Sequence, residues 1–360
     1  MQIGLVGLQY SGKTTLFNTL AQIKNDENAV QKDEAGIAVV RVPDERLDKL
    51  SEIFNPKKQV NTTIEVYDIP GLRTSDEGKV KITSTFLNNV KNNDALFYVI
   101  RNFKNDAVPH PANKINPLQD ILFLETEFLL TDMEFLEKRI EKLKKDLQKS
   151  KDDRVKNELP IIEKCFVHIE KELPLRTLNL DETEKKYLSG YQLLTLKPIA
   201  IAVNFDDSST DEVDKVISSI KENFTSQELI VIPFYAKIEN ELVDLEEEDR
   251  EIFMQDYGIT ESAKSKILRT LYQILGLESF FTVGEDECRA WTIRKNYTAQ
   301  QAAGVIHTDF FNKFIRAEVV SYEHFMAQKS FAKCKEFGFW RLEGKEYIVK
   351  DGDIITVRHS

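Results

Sequence analysis

The eight residues Gly7-Leu8-Gln9-Tyr10-Ser11-Gly12-Lys13-Thr14 fit G-x-x-x-x-G-K-[ST], and their neighbours fix what this part of the chain can become. Ile3, Leu5 and Val6 read as a short buried strand before the motif, and Thr15, Leu16, Phe17 and Leu20 open a helix after it. A glycine-bracketed loop between strand and helix turns its backbone N–H groups inward at the positive end of the helix, so it can wrap the phosphates of a nucleotide. Gln9, Tyr10, Ser11, Gly12, Lys13, Thr14 and Thr15 then form the nucleotide-binding run. Lys13 reaches the β and γ phosphates and so serves catalysis as well as binding, and the Thr14 hydroxyl is a ligand for Mg²⁺. The alternative is an ordinary glycine-rich turn, against which the flanking strand and helix weigh.

A chain of 360 residues, 41% of them apolar and 30% charged, is large enough for two or three buried cores. No apolar run reaches the ~18 residues of a membrane span, and the first residues lead into a strand instead of a basic and apolar leader. A cytoplasmic protein with no membrane partner is expected. Cys165, Cys288 and Cys334 stand far apart in no metal or redox spacing, which suits buried, inert thiols in a reducing compartment. The net charge of −11 argues against an indiscriminate nucleic-acid coat, and DNA is not an expected partner. The charge is uneven: residues 279–360 hold 12 Lys and Arg against 11 Asp and Glu, a balance of +1 that leaves −12 on the rest. Only this tail can meet RNA without strong repulsion.

Apolar runs at 3–6, 37–42, 63–67 and 95–100 alternate with polar helical stretches, the pattern of an α/β fold with a doubly wound, mostly parallel sheet. The pattern then breaks. Leu122, Leu129, Met133, Leu136, Ile140, Leu143 and Leu147 recur at helical spacing, and a second periodic run follows a polar turn at 149–153 through Val155, Leu159, Ile162, Phe166, Ile169 and Leu173. Two such helices make an antiparallel arm with densely charged outer faces, or else cover the sheet. Buried strands resume at 199–203 and 229–232, and a helix over 262–275 closes the domain. The expected division is a nucleotide-binding domain at 1–120 and 194–278, a helical coiled-coil insertion at 121–193 and a small α+β domain at 279–360. In the last, β-rich stretches at 289–293, 314–320, 347–350 and 354–357 surround a helix near 299–306, with Asp351-Gly352 as a tight-hairpin signal between the final two.

Asp68-Ile69-Pro70-Gly71 closes the strand at 63–67, and D-x-x-G at a strand end is what a switch nucleotide-binding protein sets beside its phosphate loop. Asp68 orders Mg²⁺ through water and the Gly71 N–H meets the γ-phosphate, so loss of that phosphate frees the loop that follows. Leu72 stands where many small GTPases carry a water-orienting glutamine, and a leucine cannot do that work. The base-reading loop should follow a later buried strand, and Asn204-Phe205-Asp206-Asp207 follows 199–203 directly. Guanine readers use N-K-x-D, and here Phe205 replaces the lysine. Asn204, Phe205 and Asp207 are the candidate base-contacting residues, Asn204 also being readable as a plain strand-ending turn residue.

With these motifs the chain resembles the Obg-like ATPases of the YchF family, within the P-loop GTPase class. The resemblance runs nearly end to end. It takes in Pro43-Asp44-Glu45-Arg46-Leu47, the stretch Leu193-Leu194-Thr195-Leu196-Lys197-Pro198, and above all the tail: Phe281-Thr282-Val283-Gly284, Glu287-Cys288-Arg289-Ala290-Trp291-Thr292-Ile293, Ala302-Ala303-Gly304-Val305-Ile306-His307-Thr308-Asp309-Phe310 and Tyr347-Ile348-Val349-Lys350-Asp351-Gly352-Asp353. The resemblance implies a β-grasp TGS domain for this tail and an ATP-preferring hydrolase that associates with the ribosome or ribosomal RNA; Thr14 and Asp68 make its Mg²⁺ dependence the expectation. It also implies a catalytic histidine in Asn105-Asp106-Ala107-Val108-Pro109-His110, so that His110 is singled out among five histidines, with His307 structural. A neutral imidazole can position water where the glutamine is missing.

The departures from the family pattern all touch nucleotide handling. The glycine-rich stretch after D-x-x-G is replaced at 73–79, the first switch region at 24–36 offers no obvious threonine for Mg²⁺, Gln9-Tyr10-Ser11 replaces Pro-Asn-Val, and Asp207 replaces a glutamate. Two functions follow. One is a slow switch hydrolase of ATP, or of GTP, in which Lys13, Thr14, Asp68, Gly71, Asn204 and His110 do the work. The other is a ribosome- or RNA-associated binding module whose nucleotide site has weak or vestigial activity.

Overall fold

The apolar runs form one six-stranded sheet in the computed structural model of the chain, whose inner strands Gln2–Val6, Ala95–Asn102 and Ile199–Phe205 are covered on both faces, as apolar runs without alternation require. The structure describes residues 1–22, 36–72, 82–111, 114–149, 152–206, 210–224, 229–245 and 262–360. Along the chain come β1 (Gln2–Val6), α1 (Lys13–Ala21), β2 (Gly36–Arg41), α2 (Glu45–Phe54), β3 (Lys58–Val60), β4 (Thr63–Asp68), α3 (Ser84–Lys91) and β5 (Ala95–Asn102). Then follow α4 (Pro117–Lys149), α5 (Asp153–Ile169), α6 (Glu182–Leu188), β6 (Ile199–Phe205), α7 (Thr210–Asn223), β7 (Ile230–Phe234), α8 (Ala236–Asp244) and α9 (Ala263–Ile274). The strand order is β2-β4-β1-β5-β6-β7, with β1 parallel to β4 and β5, and β6 parallel to β5 and β7. After β1 the chain lays β2 and β4 on one side of it and β5, β6 and β7 on the other, so the carboxyl end of β1 is at a switch point, where open α/β sheets hold their ligands. The phosphate loop leaves β1 at that end.

Helix α4 changes partners along its length. Ile121, Leu124 and Phe128 pack with Val6, Tyr98 and Ile201 of the sheet, whereas Leu136 and Leu143 form a second core with Ile161, Ile162 and Cys165 of α5. The apolar face therefore begins at Ile121 and not at Leu122, which is 43% exposed; the first turns cover the sheet and the rest is an arm. Helix α5 ends at Ile169, so Leu173 lies beyond it. Asp132 ties the two parts together: it accepts from the Leu194 N–H (2.9 Å), the Thr195 N–H (2.7 Å) and the Thr195 hydroxyl (2.7 Å), just before the chain re-enters the sheet as β6.

The remainder continues with β8 (Leu277–Thr282), β9 (Glu287–Arg294), α10 (Ala299–Ile306), α11 (Thr308–Asn312), β10 (Phe314–Ser321), α12 (Tyr322–Gln328), α13 (Phe331–Glu336), β11 (Arg341–Glu343) and β12 (Asp353–His359). The second sheet has the order β11-β10-β12-β8-β9-β3. Two compact units result, Met1–Ala38 with Glu65–Ile267 and Val39–Ile64 with Leu268–Ser360. Residues 39–64 thus group with the C-terminal unit, a division that differs there from the sequence boundaries. The cause is long-range: β3 pairs with β9 through Lys58↔Glu287 and Val60↔Arg289, and Leu47 and Leu50 of α2 enter a core with Phe281, Cys288 and Val320. The stretch 347–350 is not a strand. It makes one bridge, Thr298↔Ile348, because its backbone is spent on the α10 entry, where the Ala299 N–H donates to the Tyr347 carbonyl and the Val349 N–H to the Tyr297 carbonyl. Asp351-Gly352 is a turn, with Gly352 at φ 89°, but no two-stranded hairpin forms around it.

Candidate functional site

A phosphate loop needs one residue in the left-handed region and room for the chain behind it, and Gly12 supplies both. It has φ 95°, and a Cβ there would stand 2.3 Å from Asn204 Nδ2. Tyr10 also has positive φ (63°) and leaves its ring 43% exposed. Helix α1 starts at Lys13 with no side-chain cap and no acidic residue in its first turn, so the N–H groups that an anion would meet are not taken by the chain's own oxygens. The Ser11 hydroxyl is buried without a partner.

Lys13 is buried, and its ammonium donates to the Gly7 carbonyl at 3.1 Å and the Leu8 carbonyl at 3.0 Å. Burial lowers its pKa to about 8, and the negative charge of Asp68 keeps it from falling further. The Thr14 hydroxyl donates to Asp68 Oδ2 at 2.8 Å. Burial raises the Asp68 pKa against the opposing pull of Thr14 and Lys13. The loop and D-x-x-G, distant in sequence, meet because β1 and β4 are adjacent parallel strands with Leu5 beside Asp68. A hydroxyl and one carboxylate at this distance fit a hard, oxygen-seeking cation that takes its other ligands from phosphate and water. Among the described residues no group of three or more His, Cys, Asp or Glu side chains could hold a metal by itself.

Gly71 closes against the loop. A Cβ on it would lie 2.7 Å from the Lys13 ammonium and 3.0 Å from Gln9 Cα. The Gln9 N–H donates to the Leu72 carbonyl at 3.1 Å, Leu8 bridges Leu72, and the Leu72 side chain is buried in the sheet core. The second-switch stretch 73–79, nearly all of the first switch region 24–36, and Asp207 lie outside the described residues.

Asn204 is the penultimate residue of β6 and is buried. Its Nδ2 donates to the Ser11 carbonyl (3.1 Å) and its Oδ1 accepts from the Ala236 N–H (3.1 Å), so it joins the phosphate loop to the start of α8. This is more than a strand-ending turn residue does. Phe205 goes the other way: its ring is buried in the core, 6.1 Å from that of Tyr235. That removes its side chain from base recognition, since in a parallel strand alternate residues face opposite sides of the sheet.

His110 lies between β5 and α4, 7% exposed, with Nε2 3.0 Å from Asp120 Oδ2 in the first turn of α4. Burial pushes the Asp120 carboxyl up to about 6, with His110 and then Arg101 holding it down. Asp120 and Arg101 carry no motif, and sequence reasoning missed both; the one available signal was an acidic residue in a helix's first turn. His307 caps α11, its Nδ1 accepting from the Asp309 N–H. The structure therefore brings together Gly12, Lys13, Thr14, Asp68, Gly71 and Asn204, and seats His110 on Asp120.

The family described as a 50S ribosome-binding GTPase matches residues 2–138, and the YchF-type GTPase C-terminal family, described as a protein of unknown function (DUF933), matches 277–360. The "Ribosome-binding ATPase YchF" of Haemophilus ducreyi is 40% identical over 359 residues, covering 99% of this chain and 98% of its own. The chain belongs to the YchF family. The Bacillus subtilis YchF of the same description is 38% identical over 361 residues, with 99% and 98% covered. The solved structure of the Schizosaccharomyces pombe YchF GTPase is similar over 99% of this chain and 97% of its own, with a TM-score of 0.84 at 32% identity. In this YchF chain the fold is thus an α/β P-loop GTPase domain with a C-terminal domain, and the position of the usual water-orienting glutamine is a leucine turned into the core.

Proposed function

We propose that this chain is a slow, Mg²⁺-dependent ATP hydrolase that acts as a switch at the ribosome in the cytoplasm. One contact set carries the catalytic part: the Thr14 hydroxyl on the Asp68 carboxylate at 2.8 Å, beside the buried Lys13 ammonium, on a loop held by Asn204. The ribosome enters through the relatives, which are described as ribosome-binding ATPases. The functional division is the nucleotide-binding domain at 1–120 and 194–278, the helical insertion at 121–193 and a TGS domain at 279–360.

Phosphate binding replaces the Gly7 and Leu8 carbonyls as partners of Lys13 with phosphoryl oxygens, a stronger, charge-assisted contact. The uncapped N–H groups of α1 and those of Tyr10 to Thr15 hold the remaining oxygens. Thr14 and Asp68 would hold Mg²⁺ beside the phosphates, where it would offset the negative charge of the transferring group. Asp68 and Gly71 sense the γ-phosphate, and Asn204 keeps the loop in register with the base site. Leu72 takes no part in orienting water. His110 takes that role with Asp120 as its positioning residue: against an ionised Asp120, Nε2 carries the proton and Nδ1 is the acceptor nitrogen. ATP is favoured over GTP because Phe205 breaks the guanine-reading N-K-x-D pattern; a tenfold preference for GTP in equilibrium binding would overturn that choice.

Single-turnover hydrolysis tests the whole proposal. The wild-type chain should hydrolyse bound ATP, and His110→Ala should slow it by about 10²-fold or more. A second reading, a binding module with a vestigial nucleotide site, is favoured by the Gln9-to-Leu72 hydrogen bond and the Leu8 bridge, which occupy a loop amide that phosphate would need. Equal, near-zero rates in wild type and His110→Ala decide for it.

A further inference from the structure

Between the end of β5 and the start of α4 lies a cavity of about 200 Å³ whose lining includes Arg101, Lys104, Asn105, Asp106, His110 and Lys114. It takes no lining residue from the phosphate loop, from D-x-x-G or from Asn204. Arg101 is 2% exposed. Its Nε donates to the Phe103 carbonyl at 3.0 Å and its guanidinium lies 4.5 Å over the Phe103 ring, yet Nη1 is buried with no acceptor. A guanidinium does not shed its proton to escape such a site, and a buried charged donor left without an acceptor is destabilising. Asp120, whose charge acts on Arg101, is engaged by His110 at 3.0 Å. Three cations line the space, Arg101, Lys104 and Lys114, against Asp106 on the lining and Asp120 beside it, so the local balance favours an anion.

We propose that this cavity binds a small oxyanion of the phosphate class, with Arg101 as its inner anchor and the exposed Lys104 and Lys114 as its outer cations. Planar guanidinium and tetrahedral oxyanion match in geometry, and the two lysines add point charges at the mouth. The site stands whether or not the chain hydrolyses ATP. Because His110 lines the same space, an occupied cavity also holds the loop that carries the histidine.

Equilibrium dialysis of labelled inorganic phosphate against the full chain tests this, alongside Lys13→Ala, which removes the cation of the phosphate loop. Lys13→Ala should retain one bound phosphate, and Arg101→Gln in that background should weaken it about tenfold or more. Since Arg101 is interior, the surface double variant Lys104→Ala/Lys114→Ala is the second arm: it should weaken phosphate severalfold with an unchanged unfolding midpoint. Loss of all phosphate binding in Lys13→Ala, or unaltered affinity in both the arginine and the lysine variants, overturns the site.

Discussion

Lys13 is a buried ammonium whose pKa is lowered to about 8 by loss of solvent, with Asp68 opposing. Above that pH the neutral amine predominates in the nucleotide-free chain, whereas phosphate selects the charged form, so ATP affinity should fall as pH rises through about 8 and binding should take up a proton. Calorimetry in buffers of differing ionisation enthalpy checks this; no proton uptake near pH 8 to 9 means that Lys13 stays charged. Gly12→Ala places a methyl at φ 95° and 2.3 Å from Asn204 Nδ2, which should cost about 1–3 kcal/mol in urea unfolding and weaken ATP binding with it. Wild-type stability in that variant would mean that the loop can shift away from Asn204. The lysine, threonine and glycines were legible because the motif's spacing states their geometry. Arg101, Asp120 and the inward ring of Phe205 were not, because each role depends on which segment lies opposite.

At the scale of elements, the arm is a structure with its own core. Leu143 of α4 is 1% exposed among Ile161, Ile162 and Cys165, so Leu143→Ala should cost about 2–5 kcal/mol. Hydrogen exchange should speed up across 136–169 while ATP affinity stays within twofold or so, as expected for a cooperative unit that opens by itself. A tenfold loss of ATP affinity would instead show one cooperative unit spanning arm and phosphate loop. The helical period announced α4 and α5 but set the apolar face of the first turns through Leu122, whereas packing on β5 and β6 placed Ile121 inside and left Leu122 exposed. The three-residue β3 is too short for any period to register, and the strand expected at 347–350 was displaced by backbone bonds to the entry of α10.

Over the whole molecule, charge is distributed unevenly, with −11 in total and +1 on residues 279–360. If the chain meets the ribosome through the near-neutral tail, co-sedimentation should weaken as salt rises, because displaced counterions drive such contacts. Association that does not change across a salt series would point to an apolar interface instead. The sequence by itself determined the phosphate loop, the glycine of D-x-x-G and the buried parallel strands, since each is specified by residues within one turn or one strand of one another. Only the tertiary structure decided that Leu72 faces the core, that Asn204 grips the Ser11 carbonyl, that His110 rests on Asp120 and that β3 joins the C-terminal sheet. These are contacts between segments distant in the chain, where the balance of burial and hydrogen bonding is struck between partners that local periodicity cannot name.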